Sequence, residues 1–245
     1  NCTTIWWKNM TGPVKKFWRS CDVQFSQEYN AYVILLDSKV YRSKKGNIVK
    51  VPSLTLANKV KKEWQKVKNN FSSSKLEVTN FLEQINEVDQ KQASLFLKEI
   101  MEYAESDLIC YRVPKPEGLR KLQDKKWDDI FSIYHDKFGI KLFATYSLEH
   151  VAQSKKSMNK LKSLLRRYNQ NNIIIIYKMT QILGSALLSV LVRERLLTVK
   201  KAWLLSRIEE DWQQKTWGVD QENDIVDKNQ WEFCKFLNVC LKEFN

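Results

Sequence analysis

The 245-residue sequence contains only six glycines, four prolines and two histidines. So few glycines and prolines exclude a collagen-like or low-complexity chain and favour long helices. His135 and His150 lie in no H-x-x-x-H, H-E-x-x-H or Cys/His pattern, so the sequence gives little support for a metal site. The glycine motifs of phosphate loops, dinucleotide sites and nucleophile elbows are also missing. We therefore expect no cofactor, no bound metal and no enzymatic activity.

Cysteine is present but forms no recognisable framework. The five cysteines are an odd number, and no two of them are spaced as C-x-x-C. This pattern indicates free thiols in a reducing compartment, because disulfide frameworks and zinc sites require paired or clustered cysteines. The cysteines are Cys2, Cys21, Cys110, Cys234 and Cys240.

Acidic residues are in deficit, and the formal net charge is +13. Such a surplus is typical of proteins that meet nucleic acid, an anionic membrane or an acidic protein, although a lysine-rich composition alone explains it more simply. The segment Lys155–Arg167 has six basic residues and no acid. Met158, Leu161 and Leu165 recur in it at helical spacing, which favours a solvated helix face over a phosphate-binding strip. We expect no nucleic-acid partner.

Long apolar runs are also rare, and only Asn172–Val192 is long enough to cross a membrane. Lys178 and several polar side chains interrupt this run, and a lysine in the bilayer centre is costly. The segment therefore predicts one buried core helix and no membrane insertion.

The N-terminal part is rich in β-branched and aromatic residues. Ala31–Arg42 predicts a strand, Ser43–Asn47 a turn, and Ile48–Pro52 a second short strand of a hairpin. Ser53 is a plausible N-cap of the helix that follows. The apolar stripe of that helix consists of Leu54, Ala57, Val60 and Trp64.

Helical periodicity dominates beyond the polar loop 69–75, which predicts a domain boundary there. The predicted domains are residues 1–74, a small N-terminal α/β domain, and residues 75–245, a mainly helical domain. One further strand is predicted at Phe138–Tyr146. The fold class is therefore α+β. We expect Trp64 and Trp127 to be structural, since each belongs to an apolar stripe.

The stretch RIEEDWQQKTWG combines three consecutive acids with two tryptophans, Trp212 and Trp217. A single helix over 204–217 places Leu204, Ile208 and Trp212 on one core-facing stripe. The opposite side carries Ser206, Glu210, Gln213 and Trp217. Arg207 and Asp211 are spaced to pair, and Gly218 to end the helix in a left-handed cap. Trp217 is then either covered by a second layer or the centre of a contact surface.

Five blocks of the sequence, in order, resemble a known family. They are Tyr32–Trp64, YAESDLICYR at 103–112, WDDI at 127–130, LGSALLSVLV at 183–192, and AWLLSRIEEDWQQKTWG at 202–218. Together they resemble the ATP-twelve family, the assembly chaperones of the F-type ATP synthase catalytic head. Asp37-Ser38-Lys39 departs from the family's usual Asp-Gly-Arg.

The resemblance implies a small N-terminal α/β domain followed by an orthogonal helical bundle. It also implies binding of the unassembled α subunit of the catalytic head, in the mitochondrial matrix or in the cytoplasm of related bacteria, to shield a subunit interface and prevent aggregation. In a family member, Glu210, Gln213 and Trp217 become the leading contact residues. The full predicted partner-binding set is Ser206, Glu210, Asp211, Gln213 and Trp217.

Two other functions stay open at this stage. The chain could be a repurposed family member that serves as a structural subunit of a larger mitochondrial complex and touches RNA through Lys155–Arg167. It could also be an enzyme, although no pair of carboxylates is singled out by its spacing.

Overall fold

The computed structural model describes residues 14–72, 75–147, 149–218 and 221–244. The chain forms two compact units that divide between Val88 and Asp89. The sequence predicts the boundary at the polar loop 69–75, fourteen residues earlier. The α+β class is confirmed: small sheets lie in the first unit, and helices make up most of the second.

The first unit contains two antiparallel sheets. The short strands β1 (Val14–Lys15) and β5 (Asn70–Phe71) pair with each other. The larger sheet has the order β2-β3-β4, formed by Cys21–Ser26, Ala31–Leu36 and Lys39–Val40. Strand β2 pairs with β3 along its whole length, from Cys21 opposite Leu36 to Ser26 opposite Ala31.

The predicted long strand at residues 31–42 is wrong. It ends at Leu36 because Asp37 and Ser38 take positive φ values of 47° and 65° and turn the chain. The Asp37 carboxylate fixes this turn by accepting hydrogen bonds from the backbone N–H groups of Arg19 and Ser20, both at 2.8 Å. The predicted turn over 43–47 is confirmed, with the Ser43 N–H donating to the Asn47 carbonyl.

Helix α1 (Leu54–Gln65) begins as predicted, with the Ser53 side chain accepting from the Leu56 N–H. Its buried face omits Leu54, which is exposed. Helix α2 (Glu77–Glu87) belongs to the same unit because polar side chains connect it to α1. The indole N–H of the buried Trp64 donates to the Thr79 hydroxyl at 2.9 Å, and the Glu63 carboxylate accepts from two backbone N–H groups of α2.

The second unit is a helical bundle with α6 and α7 at its centre. Helix α6 contacts α3, α7, α8 and α10, and most side chains of α6 and α7 are buried. The helices are α3 (Gln90–Glu105), α4 (Glu117–Phe138), α5 (Lys155–Leu165), α6 (Gln170–Leu183), α7 (Ala186–Arg193), α8 (Val199–Ser206), α9 (Ile208–Trp217) and α10 (Gln221–Glu243).

The apolar run at 172–192 is buried as predicted, but it forms two helices rather than one. Gly184 ends α6 in the left-handed conformation, with φ 64°, and the Ser185 hydroxyl caps α7 by accepting from the Leu188 N–H. Within the described residues, no helix has both the length and the apolar character needed to cross a bilayer.

A fully buried carboxylate holds this break in place. Asp107 accepts hydrogen bonds from the Ser185 hydroxyl at 2.6 Å, the Leu187 N–H at 3.0 Å and the Ile109 N–H at 3.3 Å. Burial raises the pKa of Asp107 to about 6, while these donors act in the opposite direction. Asp107 therefore supplies the acceptors that the first turn of α7 cannot find within its own helix.

The strand predicted at 138–146 is wrong: Phe138 ends α4, Gly139 is left-handed, and the residues that follow lie outside any sheet. These residues form one isolated bridge, between Tyr111 and Thr145. Two side chains take the place of a neighbouring strand. The Gln153 amide accepts a hydrogen bond from the Phe143 N–H at 3.0 Å and donates one to the Phe143 carbonyl at 2.8 Å. The Ser157 hydroxyl likewise accepts from the Lys141 N–H and donates to the Lys141 carbonyl.

We predict that Asp107→Asn lowers the free energy of unfolding by about 2–3 kcal/mol, because the new amide N–H₂ faces donors that need an acceptor in a buried site. Thermal or urea denaturation measures the change. Asp136→Asn, at an exposed aspartate, is the matched control and should stay within about 0.5 kcal/mol of the wild type. Equal stabilities of the two variants would contradict the assigned role of Asp107.

Candidate functional site

The predicted helix over 204–217 is interrupted at Arg207, whose φ of −109° and ψ of 13° separate α8 from α9. Tertiary contacts of the guanidinium account for the interruption. It lies over the Trp203 ring at 4.4 Å and donates to the Gln230 side chain at 2.7 Å and to the Ile182 carbonyl at 3.3 Å. Arg207 therefore connects the end of α6 and the middle of α10 to the α8–α9 junction.

Arg207 also carries the ion pairs of this region. Its nitrogens lie 3.8 Å from Glu210 and 3.6 Å from Asp227. The predicted pair with Asp211 is wrong: in the described part of the chain, the carboxylates near Arg207 are those of Glu210 and Asp227. The helical spacing itself is kept, since the Asp211 N–H donates to the Arg207 carbonyl at 2.8 Å, but the guanidinium makes its contacts with other elements.

Because of the break, some residues predicted on the core-facing stripe are exposed and some predicted at the surface are buried. Leu204, expected in the core, is 51% exposed, whereas Ser206, expected at the surface, is 3% exposed and donates to the Trp203 carbonyl. Ser206 therefore does not share an exposed face with the other predicted contact residues. Ile208 is buried as expected. Trp212 is half-buried against α4, where a Cβ added to Gly118 would lie 2.6 Å from its ring.

The other four predicted contact residues are exposed and lie on one short helix. All four belong to α9, and we call them together the α9 face: Glu210, Gln213 and Trp217 lie on one side of the helix, and Asp211 is about 100° round from Glu210. Trp217 is 84% exposed. A tryptophan is among the residues that gain most from burial, so one left this open in the isolated chain suits a contact surface better than a second structural layer.

Negative charge surrounds the start of the α9 face. Glu209, Glu210 and Asp211 occupy the first turn of α9, where the helix dipole favours carboxylates. Partial burial raises the pKa of Glu210, and nearby Asp227 and Glu209 add to this, while its own backbone hydrogen bond and Arg207 act in the opposite direction. The α9 face thus joins an acidic end to an aromatic end.

Two apolar residues next to this region were missed by the sequence analysis. Ile225 and Val226, near the start of α10, are 61% and 51% exposed. The signal that could have found them is the short pattern DIVD, an apolar pair between two acids at the start of a helix. Gly218 ends α9, but with φ 94° and ψ 166° it does not form the predicted left-handed cap.

The rest of the described chain offers little of the chemistry of a catalytic site. In residues 14–72, 75–147, 149–218 and 221–244, no three His, Cys, Asp or Glu side chains form a group that could hold a metal ion. All four cysteines in these ranges are buried, and Cys2 lies outside them. Burial raises the pKa of Cys21 to about 11, which keeps that thiol protonated and unreactive at neutral pH.

The comparisons with known proteins decide the family. Residues 15–135 match the family described as ATP12 chaperone protein. The chain belongs to the ATP12 family. The mitochondrial protein atp12 of Schizosaccharomyces pombe is 20% identical to it over 247 residues, covering 94% of this chain and 84% of the relative. The α9 face lies beyond the family match but within the length that such relatives share.

Two solved structures have the same fold. A putative chaperone from Agrobacterium tumefaciens superposes with a TM-score of 0.82 at 24% identity, covering 95% of this chain and 87% of that one. Atp12 from Paracoccus denitrificans gives 0.78 at 21% identity, covering 94% and 98%. The family match and the mitochondrial relative, rather than the shared fold, identify this ATP12 protein as an assembly chaperone of the ATP synthase. The mitochondrial protein of Schizosaccharomyces pombe agrees with the predicted location in the mitochondrial matrix. The Paracoccus denitrificans protein is consistent with the alternative, the bacterial cytoplasm.

Trp217 and Trp127 provide a matched pair for a stability test. We predict that Trp217→Ala changes the free energy of unfolding by no more than about 0.5 kcal/mol, since the side chain contacts mainly solvent. Trp127→Ala should cost about 3–5 kcal/mol, because that indole is buried and donates to the Leu205 carbonyl at 3.1 Å.

Urea denaturation of both variants, each monitored by circular dichroism, measures the difference. A large destabilisation by Trp217→Ala would show that another part of the chain covers Trp217, and would remove the reason for placing a contact surface there.

Proposed function

We propose that this ATP12 protein binds the unassembled α subunit of the F-type ATP synthase catalytic head through the α9 face. The observation that carries the proposal is the 84% exposure of Trp217 on a helix whose other exposed residues are all polar or charged. An aromatic side chain surrounded by polar groups is the usual composition of an interface hot spot. Binding there would cover the surface that the α subunit later gives to its neighbour, the β subunit.

The proposed surface suits a temporary complex. A chaperone that shields an apolar interface must also release it, which requires a few strong contacts rather than a wide apolar face. Trp217 would supply the apolar contact, and Gln213 hydrogen bonds that water can replace on release. The acidic end of the α9 face would favour a client surface with basic groups and would suppress binding of acidic proteins.

Ser206 has a different place in this proposal. It is buried beneath the surface and donates to the Trp203 carbonyl, next to the junction that Arg207 fixes. We therefore assign it a supporting position under the α9 face instead of a client contact. The proposed activity is binding alone, since a chaperone of this kind needs no chemical step.

We predict that Glu210→Lys weakens capture of the α subunit at least about thirtyfold, which corresponds to the roughly 2–5 kcal/mol lost when a charge is reversed inside an interface. Pull-down or calorimetric titration with purified α subunit measures the loss. Glu209→Lys makes the same change of charge one position away, on a half-buried side chain, and should have a smaller effect.

Glu210 lies 3.8 Å from Arg207, so its reversal could also disturb the fold. Trp217→Ala and Gln213→Ala avoid this problem, because both side chains are exposed and distant from Arg207 in the helix. Melting temperatures identify any variant that is unfolded. Normal capture by Glu210→Lys and Trp217→Ala together, with normal melting, would sink the proposal.

A further inference from the structure

A basic groove lies between the end of α4 and the exposed side of α5, remote in sequence from the α9 face. Its volume is about 740 Å³. None of its lining residues is acidic, and four carry a positive charge. The lining consists of Lys137, Phe138, Lys156, Asn159, Lys160, Ser163, Leu164 and Arg167.

Helix α5 has the amphipathic form that the sequence predicts. Met158, Leu161 and Leu165 are buried, while the six basic residues of the segment 155–167 are exposed. Within the described residues none of these six cations has a carboxylate within ion-pair distance. The Lys160 ammonium donates to the Gly139 carbonyl at 2.6 Å, which holds it at the groove. Asp136, the acid next to Lys137, lies 3.1 Å from His135.

The cations of the groove form a row rather than a point. Lys156, Lys160 and Ser163 follow one stripe of α5, and Arg167 continues the row in the turn two residues past the end of the helix. At about 1.5 Å per residue, the row from Lys156 to Arg167 is roughly 16 Å long. Lys137 adds charge from α4 on the other wall of the groove. Like charges this close repel one another, so an anion in the groove gains the attraction of several cations at once.

We propose that this groove binds the phosphate backbone of single-stranded nucleic acid without sequence preference. A row about 16 Å long exceeds what one phosphate can contact, so it suits a chain of phosphates. Asn159 and Ser163 offer the amide and hydroxyl donors that often contact phosphate oxygens. The partly exposed Phe138 ring at one end offers a face on which a base can stack.

The groove shape separates this partner from an anionic membrane. A flat bilayer surface meets cations on a convex face, whereas here Lys137 and the α5 row lie on two walls of a concave groove. The sequence analysis favoured a solvated helix face for the cations of α5. Helical spacing places these cations on one side of α5, but it does not show that α4 forms a second wall across from them. The inference does not depend on client binding by the α9 face.

The test must separate a site from the general attraction of a +13 chain for any polyanion. Fluorescence anisotropy with a labelled oligouridylate, titrated at several salt concentrations, measures both affinity and the number of phosphates neutralised. The groove variant is Lys156→Glu/Arg167→Glu. Its control is Lys200→Glu/Lys201→Glu, which makes the same change of net charge at two exposed lysines of α8.

For the wild type we expect a slope of log K against log[salt] near −2.8, from about 0.7 for each of the four groove cations. The groove variant should bind at least tenfold more weakly, with a slope reduced by about 1.4, while the control variant keeps the wild-type slope. Lys137→Glu, on the α4 wall, should also make the salt dependence less steep. Because this variant leaves α5 unchanged, its result does not depend on whether substitutions in α5 disturb folding.

Three results would overturn the inference. The first is equal weakening by the groove and control variants, which means attraction by net charge alone. The second is the absence of saturable binding by the wild type at low salt. The third is a groove variant that loses binding to phosphatidylglycerol-containing vesicles but keeps wild-type affinity for the oligouridylate, which assigns the groove to a membrane.

Discussion

The proposed contact surface of this chaperone depends on one side chain, Arg207. Its guanidinium stacks on Trp203, donates to Gln230 and to the Ile182 carbonyl, and lies between the carboxylates of Glu210 and Asp227. The helix breaks at this same residue, which separates α8 from α9. The break sets the direction of α9, and therefore which of its side chains face solvent.

Stability and recognition are assigned to different residues of the same region. Trp127 ties α4 to α8 through the Leu205 carbonyl, and Trp212 covers Gly118 of α4, so the start and middle of α9 are fixed to the bundle. Trp217, at the end of α9, is left open to solvent. A contact side chain on a helix that is held in this way loses less conformational entropy on binding than one on a loop.

The sequence predicted those features that depend on local pattern. The Ser53 cap, the turn over 43–47 and the amphipathic α5 all follow from residues that are near one another in the chain. Features that depend on distant partners were missed. Gly184 and Ser185 divide the apolar run because Asp107, far earlier in the sequence, accepts from the first turn of α7.

The candidate site shows the same limit. A helical wheel drawn through 204–217 placed Glu210, Gln213 and Trp217 at the surface, and all three are exposed. It misplaced Leu204 and Ser206, because the wheel assumes continuous helix through Arg207. Strand β2 was missed although Cys21, Val23 and Phe25 alternate with polar residues, so its signal was present in the sequence.

The central claim, that the α9 face contacts the α subunit, is tested most directly by photo-crosslinking. A photoreactive benzoylphenylalanine replaces Trp217 in one variant, and in a second it replaces Leu95, an exposed residue of α3 that lies outside the α9 face. The account predicts a crosslink to the α subunit from position 217 and only background from position 95. Crosslinking from position 95 that equals or exceeds that from position 217 would contradict it.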